Sequence, residues 1–478
     1  MNATTGRPVW YLLTLHWLSL TGAALVATAF VSWLVVLPQT TRGHADNPYL
    51  GIVVFLIVPV IFFAGLALIP IGIYLSRRQI RKGLAVEQFD RKTVLRRVGW
   101  FFGVTTLVNL LIGTQVTYRA VKHMETPQFC GAACHAMKPE FSAYQNAPHS
   151  KVECVECHVA PTGVGWIQAK TSGIRQLVEV VLNTSPRPIP AALESGRLVP
   201  SKETCQNCHW SQKFVDARLR VINRYADDES NSRTQTVLLM MIGGSRSSGI
   251  HGAHFGPGIH IRFGAADPSR QTIPWVEYRN ATTGNVETFV TSGSVPDPAR
   301  AIPKHEMQCV DCHNRPSHSF DLPDRAMDKA LGLGDIPVTL PFIKKKSVEL
   351  LKANYSTSRE AADKLPRALA GFYQQNYPTV YAQRSRDIEQ AAKAVLTVYE
   401  RNVFPELKVS WGTYPNNLGH TDSPGCFRCH DGSHTSGGGK TITQDCNSCH
   451  ELVATDETSP EILSTLGMAE RISKIQKQ

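Results

Sequence analysis

The sequence predicts a mainly α-helical membrane protein: three transmembrane helices, then a large cysteine-bearing part outside the membrane with a small β-containing insert and a helical segment. Three observations carry this. Three uncharged runs, residues 10–37, 50–75 and 98–118, precede the first cysteine. All twelve cysteines then fall between Cys130 and Cys449. Among them, apolar spacing changes from a two-residue to a 3.6-residue period.

Each uncharged run is long enough, as a helix, to cross about 30 Å of hydrocarbon. The first is about twice the length of a signal-peptide core and no small-residue cleavage site follows, so it is expected to remain uncleaved. Between the second and third runs stand Arg77, Arg78, Arg81, Lys82, Arg91, Lys92, Arg96 and Arg97, against Glu87 and Asp90. This excess of positive charge places that loop in the cytoplasm. The short loop with Arg42 and His44, and everything after Tyr118, then lie outside.

Ten cysteines form five units: Cys154-Val-Glu-Cys157-His158, Cys205-Gln-Asn-Cys208-His209, Cys309-Val-Asp-Cys312-His313, Cys426-Phe-Arg-Cys429-His430 and Cys446-Asn-Ser-Cys449-His450. C-x-x-C-H is the attachment signature of c-type haem. Two thiols add to the vinyl groups along one porphyrin edge, and the adjacent imidazole reaches the iron. Structural zinc would need two pairs converging on one ion, with no histidine required after each second cysteine. A disulfide across two residues is usually a redox motif. The last two cysteines stand in "QFCGAACHAM", where Cys130 and Cys134 are three residues apart and His135 follows. A sixth haem is the economical reading, with Gly131 permitting a bulge between the anchors; a free or disulfide-bonded pair is the alternative. Met137, two after His135, is a candidate axial ligand, with core packing as the other option.

Covalent haem attachment agrees with the loop charges, since both put this part in the bacterial periplasm. The net charge of +11 is not a nucleic-acid signal. Much of it belongs to the cytoplasmic loop, and six haems with their propionates each contribute about −1. A b-type haem within the membrane would need two ligands, and His16 is the only histidine in a span. As an intramembrane ionisable group it is a candidate for a quinone site.

The chain divides into an anchor (1–118), a segment with haems one to three (119–209), a haem-free insert with a β-hairpin (210–308), a fourth haem segment (309–320), a helical segment (321–410) and a C-terminal domain with haems five and six (411–478). The hairpin is read from "RQTIPWVEYRN", "TTGN" and "VETFVTS". The helices are read from "IKKKSVELLKANY" and "DIEQAAKAVLTVYERNVF".

Of seventeen histidines, six belong to motifs and two to the membrane region. His149, His318, His420 and His434 are assigned as axial ligands. At least one of His251, His254 and His260 is expected to join them, His254 and His260 being taken first, and which one is left open. His123 and His305 are read as surface or outer-sphere groups. The surplus of histidines argues for mostly six-coordinate irons, the state that suits electron carriage.

"FCGAACHAMKPEFSAYQNAPHSKVECVECH", following a transmembrane helix, resembles the NapC/NirT/NrfH family of membrane-anchored multihaem quinol dehydrogenases. The resemblance covers about residues 98–313. The two C-terminal motifs and two extra spans look more like the larger inner-membrane cytochromes of metal-reducing bacteria. It implies a methionine-ligated first haem through C-H-x-M, here His135 and Met137, and a lysine ligand to the second, here Lys170. Met137 and Lys170 are thereby quinol-proximal candidates, and His149 would serve the haem of His313. The family's acidic residue at the quinol pocket has Glu179 as its nearest counterpart. The three-residue spacer departs from the family pattern.

Cys130 lies twelve residues beyond Tyr118, about 18 Å if helical, so the first haem is expected near the outer headgroups. The expectation is a hexahaem c-type cytochrome of the bacterial inner membrane that oxidises membrane quinol and passes electrons through its haem irons to periplasmic cytochromes or reductases. The alternatives are a passive subunit complexed with other membrane subunits and a terminal reductase with one open haem.

Overall fold

The computed structural model describes residues 16–40, 57–82, 91–133, 135–194, 198–210, 216–243, 249–291 and 302–468. It divides into two compact units, Met1–Met124 and Glu125–Gln478.

The first unit holds α1 (Trp17–Thr40), α2 (Val58–Arg81) and α3 (Arg91–Met124). Among the described residues two helices are long and apolar enough to cross a membrane, Val58–Arg81 and Val98–Met124, while the apolar part of α1 is the shorter Trp17–Ser32. Three spans are expected from the sequence; residues 10–15 and 50–56 lie outside the described ones. The helices run past the uncharged stretches because a helix continues wherever each N–H meets the carbonyl four residues back, charged side chains included. Arg78 and Arg81 occupy the last turn of α2, where cations suit the negative end of the helix dipole.

Small residues set the approach of α1 to α2. A Cβ on Gly22 would lie 2.6 Å from the Gly65 carbonyl oxygen, and one on Gly65 would lie 2.8 Å from that of Gly22. Ser19 is buried where it meets Gly72. Such contacts let backbones pack closely in lipid, where apolar side chains alone give little reason to pair. His16, expected within the first span, instead precedes α1: its Nδ1 accepts the Leu18 N–H at 3.2 Å and its carbonyl accepts the Ser19 N–H at 3.1 Å. It satisfies amides that the first turn leaves over.

The second unit opens with short helices, α4 (Lys138–Gln145), α5 (Cys154–His158) and the longer α6 (Gly163–Val181). Two antiparallel sheets follow. One has β1 (Arg218–Tyr225) and β2 (Arg233–Met240). The other begins, after α7 (Gly249–Phe255), with β3 (Ile259–Gly264), β4 (Trp275–Asn280), β5 (Asn285–Val290) and β6 (Lys304–Glu306). β4 and β5 pair from Trp275↔Val290 to Asn280↔Asn285, closed by a turn in which Gly284 has φ 73°, a conformation glycine adopts freely. Gly264 lies under the Trp275 indole, where a side chain would collide.

The insert is not self-contained. After α8 (Cys309–Cys312) come the helices α9 (Pro323–Leu333), α10 (Ile343–Lys352), α11 (Ser358–Asn376), α12 (Pro378–Gln383) and α13 (Ser385–Asn402). Then β7 (Thr435–Ser436) and β8 (His450–Glu457) return to the sheets, and α14 (Glu461–Thr465) follows. The strand orders are β1-β2-β8 and β6-β3-β4-β5-β7. Residues 210–308 therefore supply strands that the last forty-odd residues complete.

The helical segment carries the largest apolar core of the chain's described part. Met327, Leu351, Leu365, Leu369, Tyr373 and Val395 are fully buried there. Thr357 caps α11 by accepting the Glu360 N–H, and Gly334 ends α9 in the left-handed conformation. This core joins β1 through Tyr225, and Lys344 reinforces the joint with a 2.8 Å ion pair to Asp328.

Candidate redox centres

Each C-x-x-C-H unit folds as one tight turn. The second motif is α5 and the fourth is α8; the third, fifth and sixth are 3₁₀ turns at Cys205–Asn207, Gly425–Arg428 and Cys446–Ser448. The histidine N–H bonds back to the first cysteine's carbonyl in the third, fourth and fifth motifs, at 2.7, 2.8 and 3.1 Å. Side chains three apart in a helical turn share a face, so both thiols address one edge of a bound group. The first motif absorbs its extra residue in a π-helical turn, Phe129–Ala133, which widens the ring by one position. Gly131 matters there for space rather than for dihedral freedom: a Cβ would strike the Phe141 ring. Cys134 and the side chain of His135 lie outside the described residues. Among the described residues no cysteine is in a disulfide.

The histidines are arranged as opposed pairs. His158 faces His318 with ring centroids 6.2 Å apart, His209 faces His149 at 6.0 Å, His313 faces His251 at 6.2 Å, His430 faces His254 at 5.8 Å and His450 faces His420 at 6.1 Å. In every pair one ring belongs to a motif and its partner does not. Two imidazoles on one metal, each with its nitrogen about 2 Å away, would place their centroids about 6 Å apart. The donor set therefore fits iron held between two histidines. Among the described residues no three His, Cys, Asp or Glu side chains gather as a metal site.

Hydrogen bonds fix which nitrogen is available. Nδ1 of His318 donates to the Glu140 carbonyl at 3.0 Å, that of His149 to Pro316 at 3.3 Å, that of His254 to Ile250 at 2.7 Å and that of His430 to Thr443 at 2.7 Å. A carbonyl only accepts, so Nδ1 carries the proton and Nε2 keeps its lone pair, the arrangement typical of metal-bound histidine. Burial pushes His158 down to about 4, with the facing His318 adding to the effect. Burial likewise lowers His254, His251 and His313. Neutral imidazoles are what a metal requires.

Several expectations are corrected. His434, expected as an axial ligand, is fully buried with both nitrogens engaged: Nδ1 with Asp431 at 2.8 Å and Nε2 with the Ile273 carbonyl at 2.8 Å. No lone pair is left for iron. His260, also taken as a ligand, is on β3 with Nδ1 3.3 Å from Glu306, away from any motif histidine. His251 and His254 are the two of that trio that face motif histidines, three residues apart on α7. His149 faces the third motif's histidine, not that of the fourth as the family resemblance implies. Lys170 does not face His158, whose other side is taken by His318. His305 packs on Phe263 with centroids 5.6 Å apart. Met137 ends the short turn His135–Met137.

Lys170 instead belongs to a cluster that the sequence did not reveal. Its Nζ is 3.4 Å from Glu125 Oε1 and 5.3 Å above the Trp166 ring, and Trp166 Nε1 donates to the same oxygen at 2.9 Å. Trp166 and Lys170 are one helical turn apart on α6, the spacing that could have flagged them. Glu179, the expected acid, is tied to Arg175 at 2.8 Å. A hydrogen bond with Cys154 holds the Cys130 thiol down at about 7, against burial, with Lys170 lowering and Glu125 raising it further. The cluster is therefore beside the first motif.

Consecutive motifs also adjoin. The Cys130 thiol hydrogen-bonds with that of Cys154. Burial raises Cys157, with the charge of Cys205 next, and raises Cys309, again with Cys205 next. Burial pushes Cys312 up to about 12, Arg428 opposing and Cys426 adding; Cys449 is raised by burial and then by Cys426. Each motif thus has a cysteine within electrostatic reach of a neighbouring motif.

The sequence profile for the N-terminal region of the NapC/NirT cytochrome c family matches residues 93–236. Cytochrome c-type protein ImcH of Geobacter sulfurreducens is 36% identical over 439 residues, covering 90% of this chain and 86% of that protein. Cytochrome c-type protein TorC of Escherichia coli K12 is 26% identical over 128 residues, 23% of this chain and 31% of TorC. No solved structure matches. Apolar helices, C-x-x-C-H turns and near full-length similarity agree: the chain belongs to the NapC/NirT family of membrane-anchored multihaem c-type cytochromes, electron-transfer proteins with covalently bound haem.

Proposed function

We propose that this chain is a hexahaem quinol dehydrogenase of the bacterial inner membrane that relays electrons to periplasmic cytochromes or reductases. The observation that carries the reading is the Glu125–Trp166–Lys170 cluster beside Cys130. Glu125 is the residue after Met124, where the apolar helix Val98–Met124 ends.

The haems, when bound, accept electrons singly and pass them on. The residues of the chain handle the protons and the geometry. Glu125 accepts a proton from a quinol hydroxyl at its carboxylate, whose Oε1 is fixed by Trp166 Nε1 and Lys170 Nζ. The Glu125 side chain is 28% exposed, so the proton can leave to water outside the membrane. At the second to sixth motifs the opposed histidines would hold iron between them, which favours a relay over a terminal reductase. Met137 is the proposed sixth ligand at the first motif.

The test is anaerobic stopped-flow mixing of oxidised protein with a menaquinol analogue, following haem reduction. Rapid reduction, slowed about 10²-fold or more in Glu125→Gln as for loss of a general base, supports the reading. Slowing in Lys170→Met with haem content intact supports it further. No reduction by quinol, but rapid reduction by a small soluble donor, would overturn it in favour of a passive subunit fed by a protein partner.

A further inference from the structure

The spacer residues of the fourth and fifth motifs touch. Arg428, between Cys426 and Cys429, is 8% exposed, and Asp311, between Cys309 and Cys312, is 2% exposed. The Arg428 guanidinium spends its hydrogen bonds on carbonyls: Nε on Gly425 at 2.8 Å, Nη1 on Arg270 at 2.8 Å and Nη2 on Asp311. None of these acceptors carries charge. The Asp311 carboxylate is engaged elsewhere, with Arg270 Nη1 at 2.6 Å and the Gln308 N–H at 2.7 Å. The Asp311 carboxylate thus answers Arg270, and no carboxylate is among the hydrogen-bond partners of Arg428. Arg270 holds φ 56°, a conformation that non-glycine residues adopt reluctantly, and in it presents the carbonyl that Arg428 binds.

The same two motifs are joined on their other side. His251 and His254, three apart on α7, face His313 and His430. One helical turn therefore supplies the opposing ring to both sites, and the Arg428–Asp311 bond ties their cysteine turns together. Sites four and five form one rigid pair around a buried charge.

We propose that Arg428 is a positioning residue that sets potential: its buried charge lies between the fourth and fifth haem sites and raises the reduction potential of both. Reduction removes one positive charge from an iron, so a fixed cation nearby favours the reduced state. In a low-dielectric interior that influence is far stronger than in water. The inference depends on haem at motifs four and five and is independent of quinol as the donor.

The test is a potentiometric titration of the full-length holoprotein, followed by haem absorbance, with haem content measured alongside. Arg428→Gln should move two haem equivalents to lower potential. Asp311→Asn, which leaves the cations less compensated, should move the same two upward. Arg428→Lys, which keeps the charge and loses the planar fork, should restore values near those of the unaltered protein. Shifts of the same sign in Arg428→Gln and Asp311→Asn would show mere loosening of the sites and overturn the proposal, as would no shift in either. If Arg428→Gln fails to acquire its haem, the sign in Asp311→Asn decides alone: upward supports, downward or unchanged refutes.

Discussion

Replacing His434 and replacing His254 should have opposite consequences, although the sequence presents both as spare histidines. His434 is buried with two ring hydrogen bonds of 2.8 Å. In His434→Leu the Ile273 carbonyl is left buried without its donor, at about 1–3 kcal/mol, and Asp431 loses a bond to a charged acceptor worth about 1.5–3 kcal/mol. The sum is a loss of roughly 2.5–6 kcal/mol, some of it recoverable by repacking. Thermal unfolding should shift downward while the haem spectra stay low-spin. His254→Leu removes one of the two rings at the fifth motif. The haem at that motif should then become five-coordinate, high-spin and able to bind carbon monoxide. Electron paramagnetic resonance together with a carbon monoxide difference spectrum separates the two variants. A new high-spin component in His434→Leu, or its absence in His254→Leu, would refute the assignment of rings to iron.

Gly65→Leu should separate α1 from α2 and lower the melting temperature of the anchor in detergent, whereas Gly99→Leu, where a Cβ meets nothing within 4 Å, should not; equal effects would discount small-residue packing. Leu365→Ala, at a fully buried position, should destabilise the helical segment by about 2–5 kcal/mol in chemical unfolding, and a change near zero would mean that the segment's core is loosely packed. Bonds from Lys364 and Ser356 hold the Glu360 carboxyl down at about 2 from its ordinary 4.5. Because the folded value lies below the unfolded one, the bonds' contribution is complete above about pH 4.5 and is lost as pH falls through about 2. Hydrogen exchange at the start of α11 should show that dependence, and Glu360→Gln should abolish it.

Local chemistry was legible and long-range assembly was not. A C-x-x-C-H unit states its own chemistry within five residues, because thiols and imidazole must meet one porphyrin edge. The three-residue spacer of the first motif was legible as tolerable, but its device, a π turn with Gly131 against Phe141, depends on a side chain ten positions away. The opposing histidines are separated from their motif partners by 30 positions for His420 and His450 and by 176 for His254 and His430. Spacing along the chain says nothing about such pairs. His434 shows the converse difficulty. A histidine just after a motif looks like a ligand until both of its nitrogens are seen to be occupied. Glu125 escaped notice because its partners, Trp166 and Lys170, come from a helix forty residues on, and an acid directly after an apolar helix reads as an ordinary boundary residue.

β2 and β5 are made early in the chain, yet each waits for a strand that comes much later: Met240 pairs with His450 and Val290 with Thr435. Topology here acts as a clock. While the polypeptide emerges, both sheets stay unfinished, so every earlier thiol pair remains open to the machinery that must reach it. Arrival of β7 and then of β8 closes the two edges in turn and ends that period of access. A chain cut short before His450 would never reach this point; it would carry an unpaired β2 edge, the kind of surface that recruits other strands. Loss of the C-terminal residues from His450 onward, β8 among them, should therefore present as aggregation during biogenesis rather than as the absence of one electron carrier.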